Sequence, residues 1–200
     1  MKTTTDNKIR LDYSVILDMV NAGSSVLDLG CGDGELLSLL IESKGCRGRG
    51  IEIDEKAVFA CIARGLTISH EDINYALAAY TNKTFDYVIM NESLQQITHP
   101  QQAVLEALRV GRHVIVGMPN FCHFLARFQI FFQGRVPVTR ELPYQWYETP
   151  NIRFFSLKDF KAFCRKNQIT IRKQTALGLS RIVPCCPNMF AHFGIFLLEN

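Results

Sequence analysis

A buried strand that runs directly into a glycine-rich turn and then into a helix is the feature that most constrains this chain. Residues 25–29 (SVLDL) are a short apolar run, Gly30, Gly32 and Gly34 follow at alternate positions, and residues 36–41 carry apolar side chains at helical spacing. Glycine lets the backbone turn sharply and lets a ligand lie against bare peptide at a helix N-terminus. The segment predicts an α/β fold with a small-molecule site after its first strand.

Apolar runs alternate with helical patterns along most of the chain. The predicted strands are residues 25–29, 48–53, 67–69, 85–90, 113–118, 169–175 and 193–198. The predicted helices are residues 34–43, 55–64, 100–108 and 156–167. This order predicts a three-layer αβα sandwich around a seven-stranded, mostly parallel sheet that an antiparallel pair closes. We expect one domain over residues 1–200, with an insert at about residues 119–155.

Charge and cysteine usage narrow the classes of partner. Residues 1–100 carry 9 basic and 14 acidic side chains and residues 101–200 carry 13 and 5, so the halves have formal charges of −5 and +8. No run of lysine and arginine exists, which argues against a nucleic-acid partner.

The seven cysteines lack the spacing of a metal or redox site, which predicts no metal and a reducing, cytoplasmic location. Residues 1–8 have no signal-peptide core and no apolar run is long enough to cross a membrane, so neither secretion nor membrane insertion is expected.

Carboxylates near the glycine turn indicate the kind of ligand. Glu52 ends the second strand 18 positions after Gly34, where it can accept hydrogen bonds from both ribose hydroxyls of a nucleoside. A dinucleotide site needs a third small residue where the chain has Glu35. Asp28 and Asp33 would repel a pyrophosphate but suit an ammonium and a sulfonium group. The ligand predicted is S-adenosylmethionine.

The same segments resemble class I S-adenosylmethionine-dependent methyltransferases. The turn is similar to their motif I, and residues 50–54 (GIEID), 71–73 (EDI) and 85–91 (FDYVIMN) are similar to their ribose-binding strand end, adenine-binding turn and fourth strand. The resemblance implies a site for S-adenosylmethionine or S-adenosylhomocysteine. In it, Asp28 would face the methionine amino group, Gly30 to Gly32 the methionine backbone, Glu52 the ribose, Asp72 the adenine amino group, and Ile53 and Ile73 the ring faces. The expected cofactor-binding set is Asp28, Gly30, Cys31, Gly32, Gly34, Glu52, Ile53, Asp72, Ile73 and Asn91.

The second half of the chain carries a more particular resemblance. Residues 108–112 (LRVGR), 117–121 (GMPNF), 134–139 (GRVPVT) and 142–152 (LPYQWYETPNI) are similar to the MetW family of methionine biosynthesis, and the match extends over about residues 8–175. The resemblance implies association with a homoserine O-acyltransferase, MetX. Acyl transfer is expected from that partner, because this chain has no Gly-x-Ser-x-Gly nucleophile elbow.

The sequence assigns no catalytic residue. Glu92, His99 and His123 are candidate bases, but none belongs to a recognisable dyad. Residues 91–94 (NESL) lack the motif of enzymes that methylate amino groups of nucleic-acid bases. The alternative is an active methyltransferase whose small-molecule acceptor lies between the Asn91 region and the insert, since proximity to the sulfonium can suffice for transfer.

The insert is rich in aromatic residues at helical spacing. Its stripe consists of Phe121, Phe124, Leu125, Phe128, Phe131 and Phe132. Such a stripe fits a core helix, a lid over the ligand or a face that docks a protein. Residue types that are enriched at interaction hot spots follow it, namely Arg135, Arg140, Tyr144, Trp146, Tyr147 and Arg153. With the basic charge of this half, they favour a surface for an acidic partner protein.

Overall fold

One seven-stranded sheet organises the computed structural model, which describes residues 9–139 and 142–200. The first eight residues, where no signal peptide is expected, and Arg140 lie outside the described residues. The strands are β1 (Ser25–Leu29), β2 (Arg47–Glu52), β3 (Ile68–His70), β4 (Phe85–Asn91), β5 (Gly111–Pro119), β6 (Thr170–Leu177) and β7 (Phe193–Glu199). Their order across the sheet is β3-β2-β1-β4-β5-β7-β6, and β7 runs in the direction opposite to the other six strands. The predicted fold class is confirmed.

Helices cover both faces of the sheet. They are α1 (Leu11–Met19), α2 (Glu35–Lys44), α3 (Glu55–Ala63), α4 (Ile73–Ala76), α5 (Pro100–Val110), α6 (Phe124–Phe128), α7 (Leu157–Lys166) and α8 (Pro187–Phe190). A π-helical turn, Gln129–Gln133, continues α6, and short 3₁₀ turns lie at Leu77–Ala79 and Leu94–Gln96. Sequence patterns missed α1, α4 and α8.

Local signals explain where several helices begin. Pro100 opens α5, where its missing N–H costs no hydrogen bond. Ser156 and Asp159 form the predicted capping box of α7: the Ser156 hydroxyl accepts from the Asp159 N–H at 3.2 Å, and the Asp159 carboxylate accepts from the Ser156 N–H at 2.9 Å. Asp54 caps α3 by accepting from the N–H groups of Lys56 and Ala57.

Two hydrophobic clusters fill the spaces between the layers. Side chains alternate along the central strands, so Val26 and Ile89 point to the cluster that α1 and α2 cover, whereas Leu27 and Val88 point to the cluster that α5 and α7 cover. The strand order reverses between β1 and β4, which are direct neighbours. In open α/β sheets, ligands bind in the crevice at the carboxyl ends of the strands at this kind of reversal.

Candidate functional site

A cavity of about 600 Å³ opens at the carboxyl ends of β1, β2 and β4. Nine of the ten predicted cofactor-binding residues line it: Asp28, Gly30, Cys31, Gly32, Glu52, Ile53, Asp72, Ile73 and Asn91. Gly34 is not part of the lining. The volume falls within the range of sites that hold small molecules.

Two positions in the turn require glycine for different structural reasons. Gly30 has a φ of +73°, and a Cβ there would lie 2.9 Å from the Cβ of Ser93, so glycine keeps β1 and the segment after β4 close together. Gly34 has a φ of +78°, and a Cβ there would lie 2.3 Å from a methyl carbon of Leu66 and 2.9 Å from the Cys61 sulfur. Gly34 therefore lets α2 begin against α3 and does not face the cavity.

Glu52 ties the end of β2 to the glycine turn. One of its carboxylate oxygens accepts the N–H groups of Ile53 and Asp54, at 2.8 and 2.9 Å, and the other accepts the Gly32 N–H at 2.8 Å. A carboxylate oxygen can accept about two hydrogen bonds. The oxygen that faces Gly32 can therefore accept a further donor from a ligand, while three backbone groups hold the side chain still.

Asp28 is a buried carboxyl with no hydrogen-bond partner among the residues that the structure describes. Its exposed fraction is 2%, and it lines the cavity from the end of β1. Burial, together with the nearby charge of Glu52, raises the pKa of Asp28 to about 7. A cationic ligand would supply the positive charge that the Asp28 carboxylate has no partner to provide.

Asp72 and the two isoleucines lie on the neighbouring loops. Asp72 caps α4, accepting from the Asn74 backbone N–H at 2.9 Å and from the Asn74 side-chain amide at 2.7 Å. This is the ordinary role of an aspartate at a helix start, and the residue also lines the cavity. Ile53 is 63% exposed and Ile73 is partly buried, so both offer apolar surface to the cavity that they line.

Asn91 connects the cavity to α1, which sequence patterns missed. Its amide nitrogen donates to Asp12 at 3.1 Å, and its carbonyl oxygen is buried without a partner among the described residues. A Cβ at position 117 would lie 2.0 Å from that oxygen, so the glycine of β5 makes room for the Asn91 side chain.

Arg10 and Tyr13 are site residues that sequence reasoning did not find. The Arg10 guanidinium donates to Asp12 at 2.8 Å and to Glu92 at 2.6 Å, and it lies 4.5 Å from the centre of the Tyr13 ring. Burial lowers the pKa of Arg10, but the hydrogen bonds to the two carboxylates outweigh burial and hold it above its ordinary value. The apolar spacing of Leu11, Val15, Ile16 and Met19 was the available signal for this helix.

The three candidate bases lie in different places. Glu92 lines the cavity and is paired with Arg10. His99 is exposed at the start of α5, outside the cavity lining. His123 is buried, stacks on His192 with ring centres 3.9 Å apart, and caps α6 by accepting from the Leu125 N–H at 3.3 Å.

A second cleft of about 410 Å³ adjoins the cavity and shares Glu92 and Gln96 with it. The insert contributes Tyr144 and Asn151, and Gln95 lines the cleft with a carbonyl oxygen that is buried without a partner in the described part of the chain. The cleft lies where the sequence predicted an acceptor, between the Asn91 region and the insert.

The structure rules out one of the three interpretations of the aromatic stripe. Phe121 is buried and packs on Phe154 with ring centres 5.0 Å apart. In contrast, Phe128, Phe131 and Phe132 are 52%, 81% and 68% exposed. The interpretation of the stripe as a core helix is therefore wrong, because helical spacing of apolar residues does not show whether anything covers them.

The described residues contain neither a cluster of metal ligands nor a helix that could span a membrane. Over residues 9–139 and 142–200, no group of three or more His, Cys, Asp or Glu side chains could hold a metal ion. Cys185 and Cys186 are exposed, with their sulfurs 3.8 Å apart. None of the described helices is long and apolar enough to cross a membrane.

Comparison with known proteins gives a family match and several relatives for this chain. Residues 10–198 match the family model described as "Methionine biosynthesis protein MetW". The bifunctional methionine biosynthesis protein MetXA/MetW of Rhodopirellula baltica is 34% identical over 179 residues, which are 85% of this chain and 29% of that protein. A ubiquinone biosynthesis O-methyltransferase of Cupriavidus pinatubonensis is 34% identical over 50% of this chain and 43% of its own length. The chain thus spans less than half the length of either relative.

Solved structures support the fold. A SAM-dependent methyltransferase from Thermotoga maritima superposes with a TM-score of 0.65 and 17% sequence identity, covering 94% of this chain and 87% of its own. The seven-stranded sheet with its antiparallel β7 is the class I methyltransferase fold.

Proposed function

Because the chain belongs to the MetW family, we propose that it binds S-adenosylmethionine in the 600 Å³ cavity and acts with a homoserine O-acyltransferase in methionine biosynthesis. A cytoplasmic location is part of this proposal, because amino-acid biosynthesis and the cysteine usage of the chain agree with it.

The observation that carries ligand binding is the unpaired, buried Asp28 beside Glu52. Two carboxylates in one cavity repel each other, so the cavity favours a ligand that brings positive charge. S-adenosylmethionine has an ammonium, a sulfonium and a ribose diol. Asp28 would take the ammonium, the one remaining acceptor position of Glu52 would take a hydroxyl of the diol, and Gly30, Cys31 and Gly32 would lie along the methionine part.

The remaining assignments follow the methyltransferase resemblance. Asp72 would accept from the adenine amino group, and Ile53 and Ile73 would pack on the two faces of the ring. Asn91 would contribute from the end of β4. Gly34 would act indirectly, by letting α2 begin where the glycine turn needs it. When bound, the cofactor would supply an activated methyl group, or would serve as a signal of methionine status.

The partner assignment rests on the relative in which the two activities share one chain. The MetXA/MetW protein of R. baltica is similar to this chain over 29% of its length, and its name places MetXA in the same polypeptide. Fusion brings two proteins to a high local concentration, which benefits proteins that act together. We infer that the present chain acts together with an acyltransferase partner.

The test combines binding with activity. We expect calorimetry to show saturable one-to-one binding of S-adenosylmethionine, and co-expression with the homoserine O-acyltransferase of the same organism to give a complex with raised acyl-transfer activity. No heat of binding would contradict the ligand assignment. Neither a complex nor a gain in activity would contradict the partner assignment.

The second candidate function is methyl transfer to a small molecule, and the 410 Å³ cleft favours it. The cleft joins the cavity through Glu92 and Gln96, so an acceptor there would lie next to the bound cofactor. Steady formation of S-adenosylhomocysteine by the purified protein with S-adenosylmethionine and a cell extract, above the amount that the extract forms without the protein, would establish this activity. We propose no nucleic-acid partner, and we expect no salt-sensitive binding of DNA or RNA.

A further inference from the structure

The segment Phe124–Gln133, the aromatic helix, is an apolar element that the described residues hardly cover. It consists of α6 and the π-helical turn that follows. Ala126 is its only buried residue. Phe131 and Phe132 are 81% and 68% exposed, and Leu125, Phe128 and Ile130 are each between 43% and 56% exposed. An exposed apolar surface of this kind marks an interaction site in a soluble protein.

The aromatic helix is nevertheless held in a defined conformation. His123 caps its start, and Arg127 donates to the carbonyl oxygens of Cys122 and Asn188 at 2.6 and 3.1 Å. The Gln129 side chain exchanges two hydrogen bonds with the backbone of Val138, at 2.9 and 3.1 Å. A surface that is ordered before binding loses less conformational entropy when a partner docks.

The exposed rings form one contiguous surface. Phe132 lies 4.7 Å from Phe128 and 4.8 Å from Phe131, measured between ring centres. At the start of the helix, Phe124 lies 6.0 Å from Phe190 of α8. Aromatic side chains bring a large contact area for few rotatable bonds, which is why they dominate binding energy at interfaces.

The position of the aromatic helix argues against a lid. None of its ten residues lines the 600 Å³ cavity or the 410 Å³ cleft. A lid would contact the ligand or its cavity. The rings therefore face something other than the bound small molecule.

Its charge argues against a membrane surface and for a protein. A helix that lies on a membrane has several lysines or arginines on its polar face. The aromatic helix has one, Arg127, and that side chain is bonded to backbone carbonyls. Residues 119–139 contain Arg127 and Arg135 and no acidic side chain. The surface therefore suits a partner that presents an apolar patch bordered by carboxylates.

We propose that the aromatic helix is the docking surface for the homoserine O-acyltransferase subunit, with Phe131 and Phe132 as its central anchors. The proposal rests on the proposed function, because the fused relative names the partner. A partner that is joined to this domain in one relative is held close to it, and the aromatic helix is a preformed surface on which such a partner can dock.

The experiment measures the affinity of the purified chain for purified homoserine O-acyltransferase that is immobilised on a surface. The variant is Phe131→Gln together with Phe132→Gln, since glutamine keeps helix propensity and removes the rings. Truncating hot-spot residues costs about 2 kcal/mol or more, so we expect the dissociation constant to rise at least about 30-fold. Calorimetric binding of S-adenosylmethionine should not change, because neither residue lines the cavity.

The matched control is Phe59→Gln, which removes a ring that is 61% exposed on α3. It should leave the affinity for the acyltransferase unchanged. If the wild-type chain forms the complex and the double variant binds as tightly, the docking surface is wrong while the proposed function stands. If the wild-type chain forms no complex, the partner assignment of the proposed function fails, and the docking surface fails with it. If the rings instead drive self-association in sedimentation, or binding to phosphatidylglycerol vesicles, the occupant is a second copy or a membrane and the proposal is overturned.

Discussion

The cavity and the aromatic helix depart from the usual distribution of side chains in opposite ways. The cavity buries the carboxyl groups of Asp28 and Glu52, which water would otherwise solvate. The aromatic helix exposes Phe131 and Phe132, which would ordinarily be buried. Each region is incomplete without a partner, and the chemistry of what it lacks differs: positive charge in the cavity and an apolar protein surface on the helix. The same comparison predicts that substitutions in the two regions will have different effects on folding.

The glycine turn beside the cavity should depend strongly on packing at Gly34. Alanine there would be strained by the positive φ and would meet Leu66 and Cys61, so Gly34→Ala should lower the free energy of unfolding by about 3 kcal/mol. Gly45→Ala is the matched control at the other end of α2, because its φ is +63° and no atom lies within 4 Å of the added Cβ. It should cost only the conformational strain, about 1–2 kcal/mol. Urea denaturation measures both, and equal losses would contradict the packing role.

Ligand binding should depend on Glu52 more than on any exposed carboxylate nearby. Glu52→Ala removes the group that would bind the ribose and also frees the Gly32 N–H, so the affinity for S-adenosylmethionine should fall by about 1–3 kcal/mol. Glu55→Ala removes a carboxylate at the start of α3, outside the cavity lining, and should leave the affinity unchanged. Calorimetry compares the two variants. Unchanged affinity in Glu52→Ala would overturn the ribose assignment.

The raised pKa of Asp28 predicts that binding releases protons. At pH 7 about half of the free molecules hold a proton on Asp28, and an ammonium group bound there would displace it. The affinity should therefore rise roughly five- to tenfold between pH 6 and pH 7.5, and about half a proton should be released at pH 7. Calorimetry in buffers of different ionisation enthalpy measures this release. Asp28→Asn should bind more weakly and lose this release, whereas Asp72→Asn should keep it.

The raised pKa of Asp28 also makes the stability of the free protein depend on pH. Its pKa in the folded chain lies above the unfolded value, so the folded state holds a proton that the unfolded state gives up between about pH 4 and pH 7. Its contribution to stability is present below this window and is lost as the pH rises through it. Asp28→Asn should flatten this part of the profile of unfolding free energy against pH.

Features with local causes were predictable from the sequence. The strand, glycine turn and helix at residues 25–44 depend on apolar periodicity and on glycine's tolerance of positive φ, both of which are visible along a short segment. Glu52 was predicted from its distance from the turn along the chain, and Asp72 from the resemblance to class I methyltransferases. Nine of the ten predicted residues consequently lie around one cavity.

Features that depend on distant contacts were not predictable in the same way. Arg10 meets Glu92 across 82 positions, and Asn91 meets Asp12 across 79, so no local pattern shows either contact. Gly34 was expected beside the ligand because spacing cannot distinguish a glycine that makes room for a ligand from one that makes room for Leu66. For the same reason, the spacing of the phenylalanines indicated a helix but not its exposure.

The smallest expected effect is on the stability of the chain when the aromatic helix loses its rings. Phe131 and Phe132 contact mainly each other and Phe128, and neither belongs to a core cluster. Phe131→Gln together with Phe132→Gln should change the free energy of unfolding by no more than about 0.5 kcal/mol, as exposed substitutions usually do. Phe160→Ala, in the core beside Phe196, should cost about 3–5 kcal/mol in the same urea titration. If the double variant lost more than about 2 kcal/mol of its free energy of unfolding, the rings would stabilise the fold. The aromatic helix would then not be a surface that is left uncovered for a partner.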